Sequence, residues 1–359
     1  MNTTFDLYTD YLLSSFGQTT ATSLAQLLDG ALSHDEVTRF LNQSHALGPT
    51  LWKHVKPLVR QVQSPAGVLI VDDSFLHKPH SQPNALVKVY FDHSQQAYVK
   101  AISFLTLLYR VEQTLLPVGL HVVTNALQEP VPGEAPVWRA AKTKNEAFRE
   151  LLQQAYQNAI PFTYVLADSW YTNAANINAV CALGKHWLGA VKANVTVALT
   201  AADRVAGRFV PLSQLPLAVG APQCVYLRSV AAPVLVCKDI LPNKDGSVGE
   251  HLLLTTDTTS TYQQILTTYH QRWGIEDYHK SLKQNASLQK SPARRVQAQT
   301  THLLASVCAF VKLEALKLRA HTNQYALKAR LYLQAMKAAF AELQILKTNL
   351  LTTACGHLR

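Results

Sequence analysis

The sequence has few charged residues, no closely spaced cysteine pair and no long apolar run, and each absence excludes a class of protein. Charged residues make up only 16% of the 359 residues and hydrophobic residues 48%, which excludes a disordered chain and predicts a packed core. The five cysteines are scattered and form no CxxC pair, so we expect no zinc site or disulfide framework and a reducing, cytoplasmic location. The longest apolar runs, such as Leu303–Val311, fall far short of the roughly 18 residues that span a bilayer, so no membrane partner is expected.

The ends and the charge of the chain add two expectations. Residues 1–10 lack a basic segment followed by an apolar stretch, so no signal peptide is expected. The formal net charge of +10 favours an anionic partner, of which nucleic acid is the commonest. Charge alone does not separate a nucleic-acid-binding protein from a basic protein that binds nothing specific.

Residues 1–62 are predicted to be helical. A short apolar-periodic segment, Thr22–Leu28, is followed by an Asp29-Gly30 turn and then by Ser33 and Glu36, which have the spacing of a capping box. Helix, tight turn and capped helix is the order of a DNA-binding helix-turn-helix. An ordinary helical hairpin fits the same pattern.

A mixed α/β sheet flanked by helices is predicted for residues 63–192. The run GVLIVDD at 67–73 is typical of a buried strand that ends in two carboxylates, and FTYVLAD ends in the same way at Asp168. The other elements expected in this region are strands at Ala85–Phe91, Ala101–Tyr109, Leu115–Val123 and about Trp187–Val191, and helices at Asn145–Asn158 and from about Asn173.

The remaining sequence changes character twice. Residues 193–259 contain short β-like pieces between Pro, Gly, Asn and Asp, and they predict a β-rich insertion. Helical patterning returns over residues 260–320, and an amphipathic, cationic tail over 321–359 is also predicted to be helical.

The most informative segment is TTYHQRWGIEDYHKSLKQN. On a single α-helix, Tyr269, Arg272, Glu276 and Lys283 would lie within roughly one sixth of the circumference, with Lys280 close by. A solvated charged face has similar Glu–Lys spacings, but it does not require interleaved Tyr and Trp. Carboxylates can hold metal ions that activate a nucleophile, and neighbouring cations can bind phosphates, so this stripe together with the strand-end aspartates indicates phosphodiester chemistry.

These residues carry a resemblance to a known family. Tyr269-x2-Arg272-x3-Glu276-x6-Lys283 resembles the YREK signature of insertion-sequence DDE transposases of the IS-four group. VLIVDDSF and YVLADSWY resemble the two aspartate-bearing strands of that family, and the resemblance covers about residues 30–320.

The resemblance implies an RNase H-like fold with a β-rich insertion, together with a set of functional residues. The implied catalytic and metal-binding residues are Asp72, Asp168 and Glu276, holding two Mg²⁺ ions that Mn²⁺ can replace. Aligning D-x-[ST] favours Asp72 over the adjacent Asp73, and alternation along a strand would send the two side chains to opposite faces. By the same resemblance, Tyr269, Arg272 and Lys283 contact the DNA near the cleaved phosphate. Apart from the resemblance, the basic residues Lys280, Lys290, Arg294 and Arg295 extend this surface and are expected to contact the DNA backbone.

The implied function is DNA transposition in the bacterial cytoplasm, in association with the nucleoid. The partners would be double-stranded DNA, as terminal inverted repeats and target DNA, and a second copy of the chain. Related enzymes that form a DNA hairpin use an aromatic residue in the insertion, but no Trp lies between Trp187 and Trp273, so hairpin formation is left open. Two alternatives are a nuclease of the same fold without strand transfer and a catalytically inactive repressor. A glycosidase would explain the carboxylates but not the basic stripe.

Overall fold

The computed structural model describes residues 3–92, 95–128, 137–242 and 248–356. The helices in these ranges are α1 (Thr3–Ser14), α2 (Ala21–Leu27), α3 (His34–Leu41), α4 (Leu47–Val62), α5 (Lys144–Gln157), α6 (Ala174–Ala182), α7 (Ala201–Val205), α8 (Tyr262–His270), α9 (Gly274–Gln284), α10 (Val296–Ala320) and α11 (Gln324–Gly356). The strands are β1 (Val68–His77), β2 (Val87–Asp92), β3 (Ala97–Val111), β4 (Thr114–Val122), β5 (Asn125–Gln128), β6 (Val137–Ala140), β7 (Tyr164–Ala167), β8 (His186–Ala190), β9 (Thr196–Ala198), β10 (Val210–Pro211), β11 (Gln223–Leu227), β12 (Val234–Pro242) and β13 (Val248–Thr255).

A mixed sheet in the order β4–β3–β1–β7–β8 forms the core. Strand β1 runs antiparallel to β3 and parallel to β7, and β7 runs parallel to β8. The long strand β3 pairs with β2 near its start and with β4 near its end. This is the arrangement expected of an RNase H-like core, and it confirms the mixed α/β prediction.

Helices cover both faces of this sheet. Because successive side chains of β1 point to opposite faces, neighbouring residues of this strand meet different helices. On one face, Leu151 of α5 packs so closely on β4 that a Cβ added to Gly119 would lie 3.2 Å from it. On the other face, the ring of His279 in α9 meets Phe104 of β3 edge-on, with 6.0 Å between ring centroids. Since Phe104 pairs with Ser74, α9 covers the face of β1 that also carries Asp72.

The predicted insertion is β-rich, but it continues the core sheet instead of forming a separate sheet. Strand β13 pairs with β8, and the order then continues through β12, β11, β9 and β10. One short helix, α7, interrupts it. The sequence analysis did not predict that helix or the β5–β6 hairpin.

The chain divides into two compact units, and this division differs from the five segments expected from the sequence. The first unit contains the residues up to Gln43, Ser281–Ala293 and the residues from Thr301 onward. The second contains Ser44–Lys280 and Arg294–Thr300. Helix α4 therefore groups with the sheet, where Leu51, Val55 and Val59 are buried, and the helices from the two ends of the chain group with each other.

The capping box predicted at the start of α3 is confirmed. The Ser33 hydroxyl accepts a hydrogen bond from the Glu36 amide, and the Glu36 carboxylate accepts one from the Ser33 amide. The preceding turn uses positive φ at Asp29 and Gly30, as a tight reversal requires. Whether this hairpin binds DNA stays a prediction.

Helices α10 and α11 are the longest in the part of the chain that the structure describes. None of the described helices combines the length and the apolar character needed to cross a bilayer.

Candidate active site

Asp168 follows the end of β7, but Asp72 and Asp73 lie in the middle of β1. The predicted end of the first strand at these aspartates is wrong, because β1 continues to His77 by pairing with β3. The parallel register of β1 with β7 ends at the pair Ile70 and Leu166, and extending it by two residues would bring Asp72 level with Asp168. Strand β7 ends at Ala167, which leaves Asp168 at the edge of the sheet. The carboxyl ends of parallel strands are where α/β sheets bind ligands.

The electrostatics of Asp72 show that these carboxylates are close in space. Burial, followed by repulsion from Asp73 and Asp168, raises the pKa of Asp72 to about 7, against the opposing effects of the Asp73 amide and the Arg272 guanidinium. Carboxylates grouped in a desolvated place repel each other, so the site favours a cation.

Asp73 is occupied by contacts on the opposite side of β1. Its carboxylate lies 2.5 Å from the ammonium of Lys144 at the start of α5, and it accepts a hydrogen bond of 2.8 Å from the Tyr171 hydroxyl. Burial and the charge of Asp73 raise the pKa of Tyr171, so the phenol stays a donor. These bonds give Asp73 a structural role that the sequence did not reveal.

Asp168 fixes the turn that follows β7. One carboxylate oxygen accepts hydrogen bonds from the backbone amides of Trp170 at 2.9 Å and Tyr171 at 3.3 Å. Its backbone carbonyl accepts a bond from the Thr172 hydroxyl. Short Asp side chains stabilise turns in this way, and here the turn also holds the carboxylate at the sheet edge.

The segment with the YREK spacing is not one straight α-helix, and the predicted common stripe is wrong in that respect. Helix α8 ends at His270, a 3₁₀ turn spans Gln271–Trp273, and α9 starts at Gly274. A 3₁₀ turn has 3.0 residues per turn, so the 100° spacing breaks there. Tyr269 is consequently buried, whereas the side chain of Glu276 is 64% exposed.

Arg272 nevertheless connects the signature residues to the aspartates. Its guanidinium lies 5.7 Å from the Tyr269 ring centroid and 3.6 Å from the Glu276 carboxylate, and its charge acts on Asp72. Its Nε is buried without a hydrogen-bond partner among the described residues. Burial raises the pKa of Tyr269 and the Arg272 guanidinium opposes the rise. The His251 ring lies beside Tyr269, with 5.5 Å between the ring centroids.

The expected cage of three carboxylates is not assembled. Among the described residues, no three His, Cys, Asp or Glu side chains are close enough to hold a metal ion together. Asp72 and Asp168 fit a hard divalent cation, because both offer oxygen ligands and their mutual repulsion would be relieved. Glu276 lies on the helix that covers the Asp72 face, but its carboxylate is turned to Arg272.

The other cations predicted to bind DNA differ in their exposure and in the compact unit to which they belong. Lys280, Arg294 and Arg295 are exposed and belong to the unit that contains the aspartates. Lys283 lies near the end of α9, in the residues that group with the other unit. The Lys290 ammonium donates a hydrogen bond of 3.1 Å to the Ser15 carbonyl. Both residues belong to the first compact unit, so this contact within the protein argues against a role of Lys290 in DNA binding.

Trp187, at the start of the insertion, is fully buried and meets Phe148 of α5 edge-on. Trp187 is therefore a core residue. An exposed aromatic residue lies instead in the turn after Asp168, where Trp170 is 48% exposed.

Comparisons with known proteins identify a family for the first part of the chain. Residues 1–208, more than half of the chain, match the model of a family described as DDE superfamily endonuclease. The match includes Asp72, Asp73 and Asp168 but ends before Tyr269, Arg272 and Glu276, so it does not test the IS-four assignment. No curated protein matches the chain.

A solved structure described as the Drosophila P element transposase strand transfer complex is similar over 51% of this chain and 36% of that chain. The sequence identity is 10% and the TM-score is 0.25. This chain thus matches about a third of the length of that chain, and a similarity this low carries no argument about mechanism.

Proposed function

The chain belongs to the DDE superfamily endonucleases, and from this premise we propose that it is a DNA transposase that cleaves the ends of a mobile element and joins the freed 3′-hydroxyls to target DNA. The observation that carries the proposal is the placement of Asp72 and Asp168 just beyond the paired part of two neighbouring parallel strands, where the charge of Asp168 acts on buried Asp72. Strand transfer goes beyond what the family implies, since a nuclease would use the same carboxylates.

We propose Asp72, not Asp73, as the first metal-binding carboxylate. Asp73 is engaged by Lys144 and Tyr171, whereas Asp72 faces Asp168 and the helix that carries Glu276. Mg²⁺, which Mn²⁺ could replace, suits these oxygen donors and would supply activation of water or a 3′-hydroxyl and stabilisation of the leaving oxygen. Glu276 would complete the set after its side chain leaves Arg272, whose guanidinium would then be available for a DNA phosphate.

The proposal is tested with a linear duplex that carries the gene and its flanking DNA, incubated with the protein and Mg²⁺. We expect cuts at inverted repeats that bracket the gene, and joining of precleaved ends to a plasmid. Cleavage without joining would favour the nuclease, and specific DNA binding without cleavage would favour the inactive repressor.

The exposed cations of the compact unit that contains the aspartates are proposed to bind the DNA backbone. Arg294 and Arg295 are adjacent and exposed, and Lys280 is exposed on α9. Replacing both arginines by alanine should weaken binding to the end duplex. The plot of log association constant against log salt concentration should become less steep by about 2, as expected when two phosphate contacts are lost. A fluorescence anisotropy titration at several salt concentrations measures this slope, and an unchanged slope would contradict the assignment.

A second copy of the chain is proposed to dock on α11, because two DNA ends must be brought together. This helix has 33 residues and is therefore about 50 Å long. Met336, Phe340 and Leu343 recur at helical spacing along it, and all three are exposed, at 67%, 64% and 47%.

Substituting Met336→Glu together with Phe340→Glu should convert dimers to monomers in light scattering after size-exclusion chromatography. The charges would be buried unpaired in the dimer, but they are solvated in the monomer. Leu199→Glu, at another exposed apolar position, is the matched control. A wild-type protein that is monomeric both alone and on end DNA, or a doubly substituted protein that still forms dimers, would contradict this surface.

A further inference from the structure

The turn after Asp168 presents an aromatic ring beside the candidate active site. Trp170 is only two residues from Asp168, and its backbone amide donates to the Asp168 carboxylate at 2.9 Å. Its indole is 48% exposed. Isolated exposed apolar side chains are common on proteins, so the exposure alone indicates nothing. What distinguishes Trp170 is its position and the way its ring is held.

Two neighbours hold the indole in place. The ring of Tyr171 meets it edge-on, with centroids 4.7 Å apart and planes at 73°. Tyr171 is itself buried and is fixed by its hydrogen bond to Asp73. The Lys144 ammonium lies 5.7 Å from the indole centroid and is fixed by the same carboxylate. The Asp73 carboxylate thus holds both neighbours of the indole, Tyr171 and Lys144.

An ordered, exposed indole beside a cation has the properties of a platform for a nucleobase. Every base presents a π-face, so stacking tolerates any sequence, and a nearby Lys or Arg adds attraction for the backbone. A phosphate held at Asp72 and Asp168 would bring its own nucleotides close to this turn, because the Trp170 amide donates directly to the Asp168 carboxylate.

We propose that Trp170 stacks on an unpaired base next to the scissile phosphate and that Lys144 supports this site. The inference rests on the proposed function, since it requires DNA at the aspartates. It gives the chain a stacking residue outside the insertion, where Trp187 is buried and cannot serve.

The test uses a single-stranded 12-mer that contains one 2-aminopurine, with Ca²⁺ in place of Mg²⁺. Stacking on the indole should quench the 2-aminopurine fluorescence when the wild-type protein binds. Trp170→Ala should abolish this quenching and weaken binding about 5- to 150-fold. Trp170→Phe should restore most of both effects, because a phenyl ring still stacks.

Tyr156→Ala is the matched control. Tyr156 has a similar exposure, 46%, but lies at the other end of α5 from Lys144, so its removal should leave quenching and affinity unchanged. Thermal melting of each variant shows whether the fold is kept. Equal quenching by the wild type and Trp170→Ala would overturn the proposal, and so would failure of Trp170→Phe to restore it.

This result can be distinguished from failure of the proposed function. If the wild-type protein cleaves the end duplex and Trp170→Ala binds the 12-mer as the wild type does, only the stacking site is wrong. If the wild-type protein neither cleaves the duplex nor quenches the probe, the transposase proposal fails, and the stacking site fails with it.

Discussion

Asp72→Asn should abolish DNA cleavage, whereas Asp73→Asn should leave it largely intact. Both residues lie in the middle of β1, but only Asp72 shares a face with Phe104 and α9 and experiences the charge of Asp168 together with that of Arg272. Loss of one metal-binding carboxylate removes roughly 4 kcal/mol of transition-state stabilisation, which corresponds to a rate about 10³-fold lower. DNA binding should be nearly unchanged, because a carboxylate repels phosphate.

Asp73→Asn has a different expected cost. It removes the ion pair with Lys144 and weakens the bond from Tyr171, both partly buried, so the free energy of unfolding should fall by about 1–3 kcal/mol. Single-turnover cleavage and chemical denaturation, measured on both variants, separate the two effects. A stable Asp73→Asn protein without cleavage, beside an active Asp72→Asn protein, would reverse the assignment.

Glu276→Gln should lower the cleavage rate by at least about 10²-fold without weakening the binding of end DNA. The glutamate is the proposed third ligand, although its carboxylate lies 3.6 Å from Arg272 in the structure. Neutralising it removes the ligand charge and releases Arg272 toward phosphate, so affinity should stay the same or rise.

Asp277→Asn is the matched control for Glu276→Gln. Asp277 is the next residue on α9 and is also exposed, but its charge acts on Arg110 and not on the signature residues. Its substitution should leave the single-turnover rate within a factor of about two. Equal rates for Glu276→Gln and the wild type would remove Glu276 from the mechanism and leave a site with two aspartates.

The sheet was predictable from the sequence because its strands are apolar runs bounded by polar turns. Val68–Val71 and Val165–Ala167 are buried, as the runs indicated. Only Asp168 follows a strand end, because β1 continues past Asp72 and Asp73 to His77. The pairing of β13 with β8, which joins the insertion to the core sheet, was not predictable, because strand pairing over a long separation leaves no local pattern. The β5–β6 hairpin was missed because its strands have only four residues each.

The candidate site was predictable only in part. The strand ends and the spacing of Tyr269, Arg272 and Glu276 identified candidate residues, but a helical wheel assumes an unbroken α-helix and the 3₁₀ turn at Gln271–Trp273 breaks it. The role of Lys144 was not visible either. It lies 71 residues from Asp73 along the chain, and only the packing of α5 on the sheet brings the two together.

A metal-specificity switch at Asp168 tests the central claim most directly. A thiolate binds Mg²⁺ poorly and binds softer ions such as Mn²⁺ better, so Asp168→Cys should give no cleavage in Mg²⁺ and measurable cleavage in Mn²⁺. The wild type and Asp73→Cys should cleave in both. Equal cleavage by Asp168→Cys in Mg²⁺ and Mn²⁺ would show that this side chain does not hold the metal, and the account of the site would be wrong.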